Sequence, residues 1–169
     1  IPGVADDVHA AVEMARDQKV ALLPRGGGTS LTGQTVNHAL VLDFTQHMNE
    51  VLEVNTQERW ARVQPGLVQD ELNHHVRPMG LLFGPDTSTS NRATLGGMLG
   101  NNSGGSHSLA YGLTVDHVLE IRVTDGTSRS LALATRPIAE SYAAIMGLLD
   151  SPTKGRYWLN GRATDTLSM

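Results

Sequence analysis

The sequence predicts a single α+β domain, and three observations carry that prediction. Stretches with helical apolar spacing alternate with short apolar runs closed by turn residues. The 169 residues are one domain's worth of chain, since typical domains run roughly 100–200 residues. Glycine is abundant, 18 residues, while there are only 2 Phe, 3 Tyr and 2 Trp. Aromatic side chains each bury roughly 150–250 Å², so a domain without them needs an aliphatic core. The glycines imply backbone that must come close to something.

The first element is a helix. Asp6 and Asp7 precede Val8, Ala11, Val12 and Ala15, an i, i+3, i+4, i+7 stripe with acids at the positive end of the helix dipole, running to about Gln18. Residues 19–24 (Lys-Val-Ala-Leu-Leu-Pro) form a short buried strand, and residues 25–34 are a loop by composition. Residues 39–44 give the next strand, so the order is strand, glycine loop, strand. Residues 51–54 and 60–64 flank Asn55-Thr56-Gln57-Glu58 as a hairpin, stopped by Pro65-Gly66. Val68, Leu72 and Val76 fall at i, i+4, i+8 of a short helix that Pro78-Met79-Gly80 ends.

From Gly84 to Gly112 there is almost no periodicity, apart from a short helix over residues 94–100 with Thr94 as its cap. So long an irregular stretch with only Asp86 and Arg92 charged up to Gly112 points to function rather than disorder. Residues 118–123 alternate as a strand, Asp125-Gly126 reads as a hairpin turn, and residues 130–134 pair back. Ile138, Tyr142, Ile145 and Leu149 have helical spacing and read as core packing. Residues 151–169 form an unassigned tail.

Composition excludes several classes of function. Thirteen basic against 17 acidic residues leave a net charge of −4, without the basic footprint of a nucleic-acid binder. The absence of cysteine removes disulfides, thiolate metal sites, iron–sulfur ligation and a cysteine nucleophile. No apolar run reaches the ~18 residues of a spanning helix. The expectation is a soluble, cytoplasmic protein, at most peripheral to a membrane. His74 and His75 are adjacent on a helix, so their side chains diverge and read as surface histidines rather than ligands; no metal is expected. His107 is the better functional candidate, weighed equally against a loop histidine bonded to backbone. Arg92 reads as a clamp of its own loop more than as a carboxylate binder.

The loop around Gly26, Gly27, Gly28 and Gly33 was tested against phosphate cradles. A dinucleotide fingerprint needs a third glycine where Leu31 stands and a helix where a strand follows. The Walker spacing Gly28-x-x-x-x-Gly33 is met, but Gln34 occupies the lysine position. What survives is a nest of backbone and hydroxyl donors, from the glycines with Thr29, Ser30 and Thr32, beside the positive charge of Arg25. A plain surface linker is the competing reading.

The run Pro24-Arg25-Gly26-Gly27-Gly28-Thr29-Ser30-Leu31-Thr32-Gly33-Gln34 resembles the pyrophosphate loop of the FAD-linked oxidases with the p-cresol methylhydroxylase (PCMH) type of flavin domain, the vanillyl-alcohol oxidase superfamily. Residues 83–98 (Phe-Gly-Pro-Asp-Thr-Ser-Thr-Ser-Asn-Arg-Ala-Thr-Leu-Gly-Gly-Met), residues 101–108 and Tyr111-Gly112-x-Thr114-x-Asp116-His117-Val118-Leu119 are similar to the branch with the glycolate oxidase flavin subunit and the D-lactate and D-2-hydroxyglutarate dehydrogenases. The resemblance implies a PCMH-type fold of two small α/β subdomains with FAD between them, filling residues 1–150 with a break near 65–85. It implies that Arg25, Gly26, Gly27, Gly28, Thr29, Ser30, Gly33 and Gln34 wrap the diphosphate. Pro85, Asp86, Thr87, Ser88, Thr94, Gly96, Gly97, Asn102, Gly105 and Ser106 would lie along the ribityl and ring side. Tyr111, Gly112 and Ile121 would complete the cleft.

Glycine permits close approach to a flat tricyclic ring, and Ser, Thr and Asn serve its polar edges. With no histidine in the glycine loop, non-covalent FAD is expected. The resemblance further implies dehydrogenation of a 2-hydroxy acid, with hydride passing to flavin N5 and electrons to an unidentified acceptor. In that family the catalytic acid–base groups come largely from a C-terminal cap domain, which is not expected within these 169 residues, so no catalytic residue is nominated. A partner chain could supply the cap. Two other readings stand beside the enzyme: an FAD-binding module without activity of its own, and a truncated chain that folds without flavin.

Overall fold

The computed structural model describes residues 1–124, 130–134, 158–159 and 162–163. Helix α1 (Ala5–Asp17) opens as its acids predict: the Asp7 carboxylate accepts from the backbone N–H of Gly3 at 2.7 Å and of Val4 at 3.1 Å. Those bonds hold the Asp7 carboxyl below its ordinary value. Val12 and Ala15 are the buried side of the stripe. Three helical segments then end alike. Lys19 (φ 53°), Gly80 (φ 73°) and Asn102 (φ 46°) each sit left-handed just past a helix, and the following N–H groups of Val20, Leu81 and Ser103 reach back to the carbonyls of Ala15, Val76 and Met98. Glycine is the natural choice there, and asparagine tolerates it.

Strands β1 (Leu22–Arg25) and β2 (Leu40–Asp43) pair in parallel, Leu22 against Leu40 through Arg25 against Asp43. β1 begins later than the apolar run predicts, at Leu22 rather than Lys19. Parallel neighbours need a long crossover, usually about a dozen residues or more with a helix. Here residues 26–39 make the crossover with no helix or strand in it. Strands β3 (Val51–Asn55) and β4 (Trp60–Val63) form the expected antiparallel hairpin, with an irregularity between Val51 and Glu53.

Helix α2 (Gln69–Val76) runs into a 3₁₀ turn at Arg77–Met79 that holds the expected proline stop. Leu67, Leu72 and Val76 are buried, with Val51, Val54, Ala61, Val63, Leu81, Phe83 and Leu95 packed on them, so the hairpin and α2 share one aliphatic core. Helix α3 (Leu95–Gly100) follows Thr94, which occupies the cap position without making the expected side-chain bond. The cap is clipped by backbone instead: Gln69 N–H bonds Ala93 O at 3.0 Å, Leu95 N–H bonds Leu67 O at 2.9 Å and Gly96 N–H bonds Pro65 O at 2.8 Å.

The irregular stretch contains a helix that periodicity did not predict, α4 (Ser108–Tyr111), and it is followed by a 3₁₀ turn at Thr114–His117. Strands β5 (Glu120–Thr124) and β6 (Ser130–Ala134) pair antiparallel as expected, and α1 packs beside β5. In the tail, β7 (Trp158–Leu159) pairs antiparallel with β8 (Arg162–Ala163). The expected turn at Asp125-Gly126 and the expected helix over residues 138–149 lie outside the described residues.

Candidate functional site

The two glycine clusters, more than sixty residues apart in sequence, meet. A Cβ on Gly26 would sit 2.0 Å from Thr94 Oγ1, and one on Gly27 would sit 2.2 Å from the carbonyl oxygen of Arg92. Neither position tolerates any other residue without movement of the opposing loop. Further along, Asn101 at the end of α3 donates to Ser30 Oγ at 3.3 Å and accepts from Gln34 Nε2 at 3.2 Å. The glycine loop is thus laid along α3 from its start to its end.

The loop makes few bonds of its own. Among the described residues, no backbone N–H from 26 to 35 donates to a protein acceptor. That leaves a continuous run of exposed or half-exposed donors on a loop whose residues 26–31, 34 and 35 line an open cleft of about 2170 Å³. Ligand pockets are commonly about 300–1,000 Å³, so this one has room for an extended molecule. Arg25, Arg59, Arg62 and Arg122 line it against one acid, Glu120, which favours an anionic occupant. Arg62 is paired to Glu53 at 2.8 Å and stacks over Trp60, while Arg25 reaches Asp43 at 3.4 Å and lies against Gly28 (φ +67°).

Asp43 is itself anchored, its Oδ1 accepting from the Thr45 hydroxyl at 2.6 Å and the Thr45 N–H at 2.9 Å. These bonds, foremost that from the hydroxyl, with a smaller part from Arg25, keep its carboxyl below the usual aspartate range against the opposing pull of burial.

Thr94 is 2 % exposed, and its Oγ1 is buried with no hydrogen-bond partner. Such an orphan costs about 1–3 kcal/mol unless something completes it. It lines the cleft between Gly26 and Gly97.

Of the residues expected to bind the cofactor, Arg25, Gly26, Gly27, Gly28, Thr29, Ser30, Gln34, Thr87, Ser88, Thr94, Gly96, Gly97 and Ile121 line this cleft. Gly33, Pro85, Asp86, Asn102, Gly105, Ser106, Tyr111 and Gly112 are not among its walls. Most of these brace the loops behind it. Asp86 accepts from the Ser106 hydroxyl at 3.0 Å and from the His107 N–H, and meets His107 Nδ1 at 2.5 Å; the bond to the histidine side chain is the main reason its carboxyl is held low. A Cβ on Gly105 would lie 2.0 Å from Asp86 O. Asn102 Oδ1 accepts from Val115 N–H at 3.1 Å, and Tyr111 is half exposed with its carbonyl 2.5 Å from His117 Nε2.

His107 therefore makes both a side-chain and a backbone bond to Asp86, and Arg92 presents its carbonyl, not its exposed side chain, to the glycine loop. His74 and His75 are exposed. Sequence reasoning missed Gln69, Asn73 and Asn101. The first two carried a signal: they are amides flanking Leu72 and Val76 on the buried face of α2.

A cleft walled by a donor-rich glycine loop, with positive charge at its edge and an orphan hydroxyl inside, defines a cradle for an extended anionic cofactor. The comparisons identify which. A family model described as "FAD binding domain" matches residues 1–133, and the chain belongs to that family. It is 44 % identical over 135 residues to the D-2-hydroxyglutarate dehydrogenase of Pantoea ananatis (80 % of this chain, 13 % of the relative). It is 36 % identical over 124 residues to the glycolate oxidase subunit GlcD of Bacillus subtilis (72 % and 26 %). A solved structure of alkyldihydroxyacetonephosphate synthase superposes with a TM-score of 0.74 at 29 % identity, covering 87 % of this chain and 30 % of that one.

The fold is the PCMH-type FAD-binding fold, and its cofactor is FAD. The residues fit it: the free N–H run and the arginines suit a diphosphate, and the Thr94 hydroxyl is a polar group awaiting a partner. The chain spans roughly an eighth of the dehydrogenase (13 %) and about a quarter of the oxidase subunit (26 %). No helix among the described residues is long and apolar enough to cross a membrane.

Proposed function

We propose that this chain is the FAD-holding part of a flavin-dependent dehydrogenase that oxidises the CH–OH group of a 2-hydroxy acid, with the flavin bound non-covalently. When bound, FAD supplies the two-electron acceptor for the hydroxyl-bearing carbon. The chain's own residues bind and orient it. The N–H groups of residues 26–35 take the diphosphate, with Arg25 near its charge, and Thr87, Ser88, Thr94, Gly96 and Gly97 meet the ribityl and ring portion. Residues 85–86 and 102–112 hold those groups in place from behind, and the whole of 1–150 works as one FAD-binding unit.

One observation carries this reading: ten consecutive backbone positions, 26–35, whose N–H groups have no acceptor among the described residues, on a loop that lines the cleft. The relatives' names support the 2-hydroxy acid as substrate class. Substrate-carboxylate binding and proton abstraction belong in this reading to a cap supplied by further polypeptide or a partner chain, and the electrons pass to a separate acceptor. Titration of the 169-residue chain with FAD, followed by absorbance, tests the binding. A saturable complex that releases free FAD on denaturation supports a non-covalent site, and flavin retained on denatured protein contradicts it. Addition of D-lactate, glycolate or D-2-hydroxyglutarate tests the chemistry: bleaching supports a dehydrogenase complete in this chain, and yellow without bleaching supports a binding module that needs its cap.

A further inference from the structure

Helix α2 buries two amides one turn apart, Gln69 at 2 % and Asn73 at 8 % exposure. Both face segment 83–87, which joins no strand among the described residues. Asn73 serves Phe83 as a neighbouring strand would: its Oδ1 accepts from Phe83 N–H at 2.8 Å and its Nδ2 donates to Phe83 O at 3.3 Å. Gln69 serves the next two alternate residues. Its Nε2 donates to the carbonyl of Pro85, and its Oε1 accepts from the Thr87 hydroxyl at 2.7 Å.

The polarity of the second arrangement follows from chemistry. A carbonyl oxygen cannot donate, so the NH₂ end of Gln69 faces Pro85. The other end is then the amide oxygen, which can only accept. Thr87 has one hydroxyl proton, and Gln69 consumes it. Thr87 also lines the cleft, so its hydroxyl retains only lone pairs for whatever lies there.

We propose that Gln69 is a positioning residue that makes Thr87 an acceptor-only group, so that the bound flavin places a hydrogen-bond donor, a ring N–H or a ribityl O–H, against Thr87. This rests on the FAD-site reading above and adds to it the sense of one hydrogen bond. A hydroxyl free to rotate would serve donors and acceptors equally. One fixed by a buried amide rejects an acceptor edge, because two opposed lone pairs leave the site without a bond.

The test is FAD affinity of the 169-residue chain, read by flavin absorbance, with far-UV circular dichroism to confirm folding. Thr87→Val should weaken FAD about three- to tenfold, the value of one net hydrogen bond, and Thr87→Ser should bind as the unaltered chain does. Gln69→Leu should weaken FAD less than Thr87→Val does, because the freed Thr87 hydroxyl can still accept, and adding it to Thr87→Val should cause no further loss, because Gln69 acts only through Thr87. FAD methylated at ring N3 and FAD lacking a ribityl hydroxyl separate the two donor sources. The analogue that lacks the donor should bind the unaltered chain and Thr87→Val equally.

The proposal is overturned if Thr87→Val binds FAD normally, if Thr87→Ser fails to restore binding, if the two substitutions add, or if the Thr87→Val loss persists with both analogues. Should Gln69→Leu fail to fold, the Thr87 pair and the analogues still decide. An unaltered chain that binds no FAD overturns the site reading itself, whereas normal binding with an indifferent Thr87 overturns only this inference.

Discussion

The two glycine-rich regions have similar compositions and opposite hydrogen-bond economies. Between residues 26 and 35 the backbone N–H groups find no acceptor among the described residues, and the loop is held by what its missing side chains let it touch. Between residues 90 and 112 most donors are consumed internally: Ser90, Arg92 and Ala93 bond back to Thr87 and Thr89, Gly105 bonds the Ser108 hydroxyl, and His107 bonds Asp86. Glycine followed by serine and threonine therefore has two meanings in one chain. In the proposed reading the first region is a surface completed by the ligand, and much of the second is the scaffold that presents it.

The strongest way to break this contrast is Gly105→Ala. Its Cβ would meet the Asp86 carbonyl, which is backbone and cannot step aside. We expect a loss of about 3 kcal/mol in chemical denaturation, at the upper end of overpacking costs. An unaltered midpoint would show that the second region yields as easily as the first.

Thr94→Val, where the two regions touch, should separate folding from binding. Removing an unsatisfied buried hydroxyl should leave the apo fold unchanged or raise its stability by up to ~1 kcal/mol, while FAD affinity falls about tenfold. Equal losses in both measurements would mark Thr94 as merely structural.

Gly33→Ala should cost only about 1 kcal/mol, from its left-handed backbone (φ +83°), because a Cβ there meets nothing within 4 Å. Thermal denaturation of Gly33→Ala beside Gly105→Ala separates the cost of a left-handed backbone from that of a clash with backbone.

The smallest effect concerns the Arg25–Asp43 pair at the foot of the first loop. At neutral pH Asp43→Asn should cost well under ~1 kcal/mol, as partly exposed pairs do. The folded carboxyl is depressed, so its contribution is present above the unfolded aspartate value of ~3.9 and is lost as pH falls through the lower folded value. Asp43→Asn should lower the melting temperature slightly above pH ~5, where the contribution is fully present, and converge on the unaltered protein as pH falls through that acid window. An identical acid limb in both proteins would exclude Asp43 as its source.

What was legible in the sequence was whatever repeats locally. The stripe of Val12 and Ala15, the Val51–Asn55 and Trp60–Val63 hairpin and the pairing of Glu120–Thr124 with Ser130–Ala134 all follow from periods of 3.6 or 2 and turn residues. Helix α4 and the turn at Thr114–His117 were hidden because they are too short for a period. The turn is held by Asn102 Oδ1 on Val115 N–H and by the Thr114 hydroxyl on Ser103 O.

The site was half legible. Composition marked Gly26, Gly27 and Gly105 as positions of close approach, but not that the opposing atoms belong to Thr94, Arg92 and Asp86. Gln69 was passed over because a polar residue in a short helix is ordinarily solvated, and only the tertiary fold buries it.

The helix-free crossover between β1 and β2 carries one more consequence. A parallel pair is normally closed by an element that is stable before any ligand arrives. Here the strap that ties Leu22–Arg25 to Leu40–Asp43 is the loop proposed above to hold the diphosphate. On that proposal FAD would take the place of a missing piece of secondary structure, and filling the cleft would also lock the chain's topology. The melting temperature should then track free FAD concentration, and a protease should cut the strap in the empty protein and spare it in the loaded one.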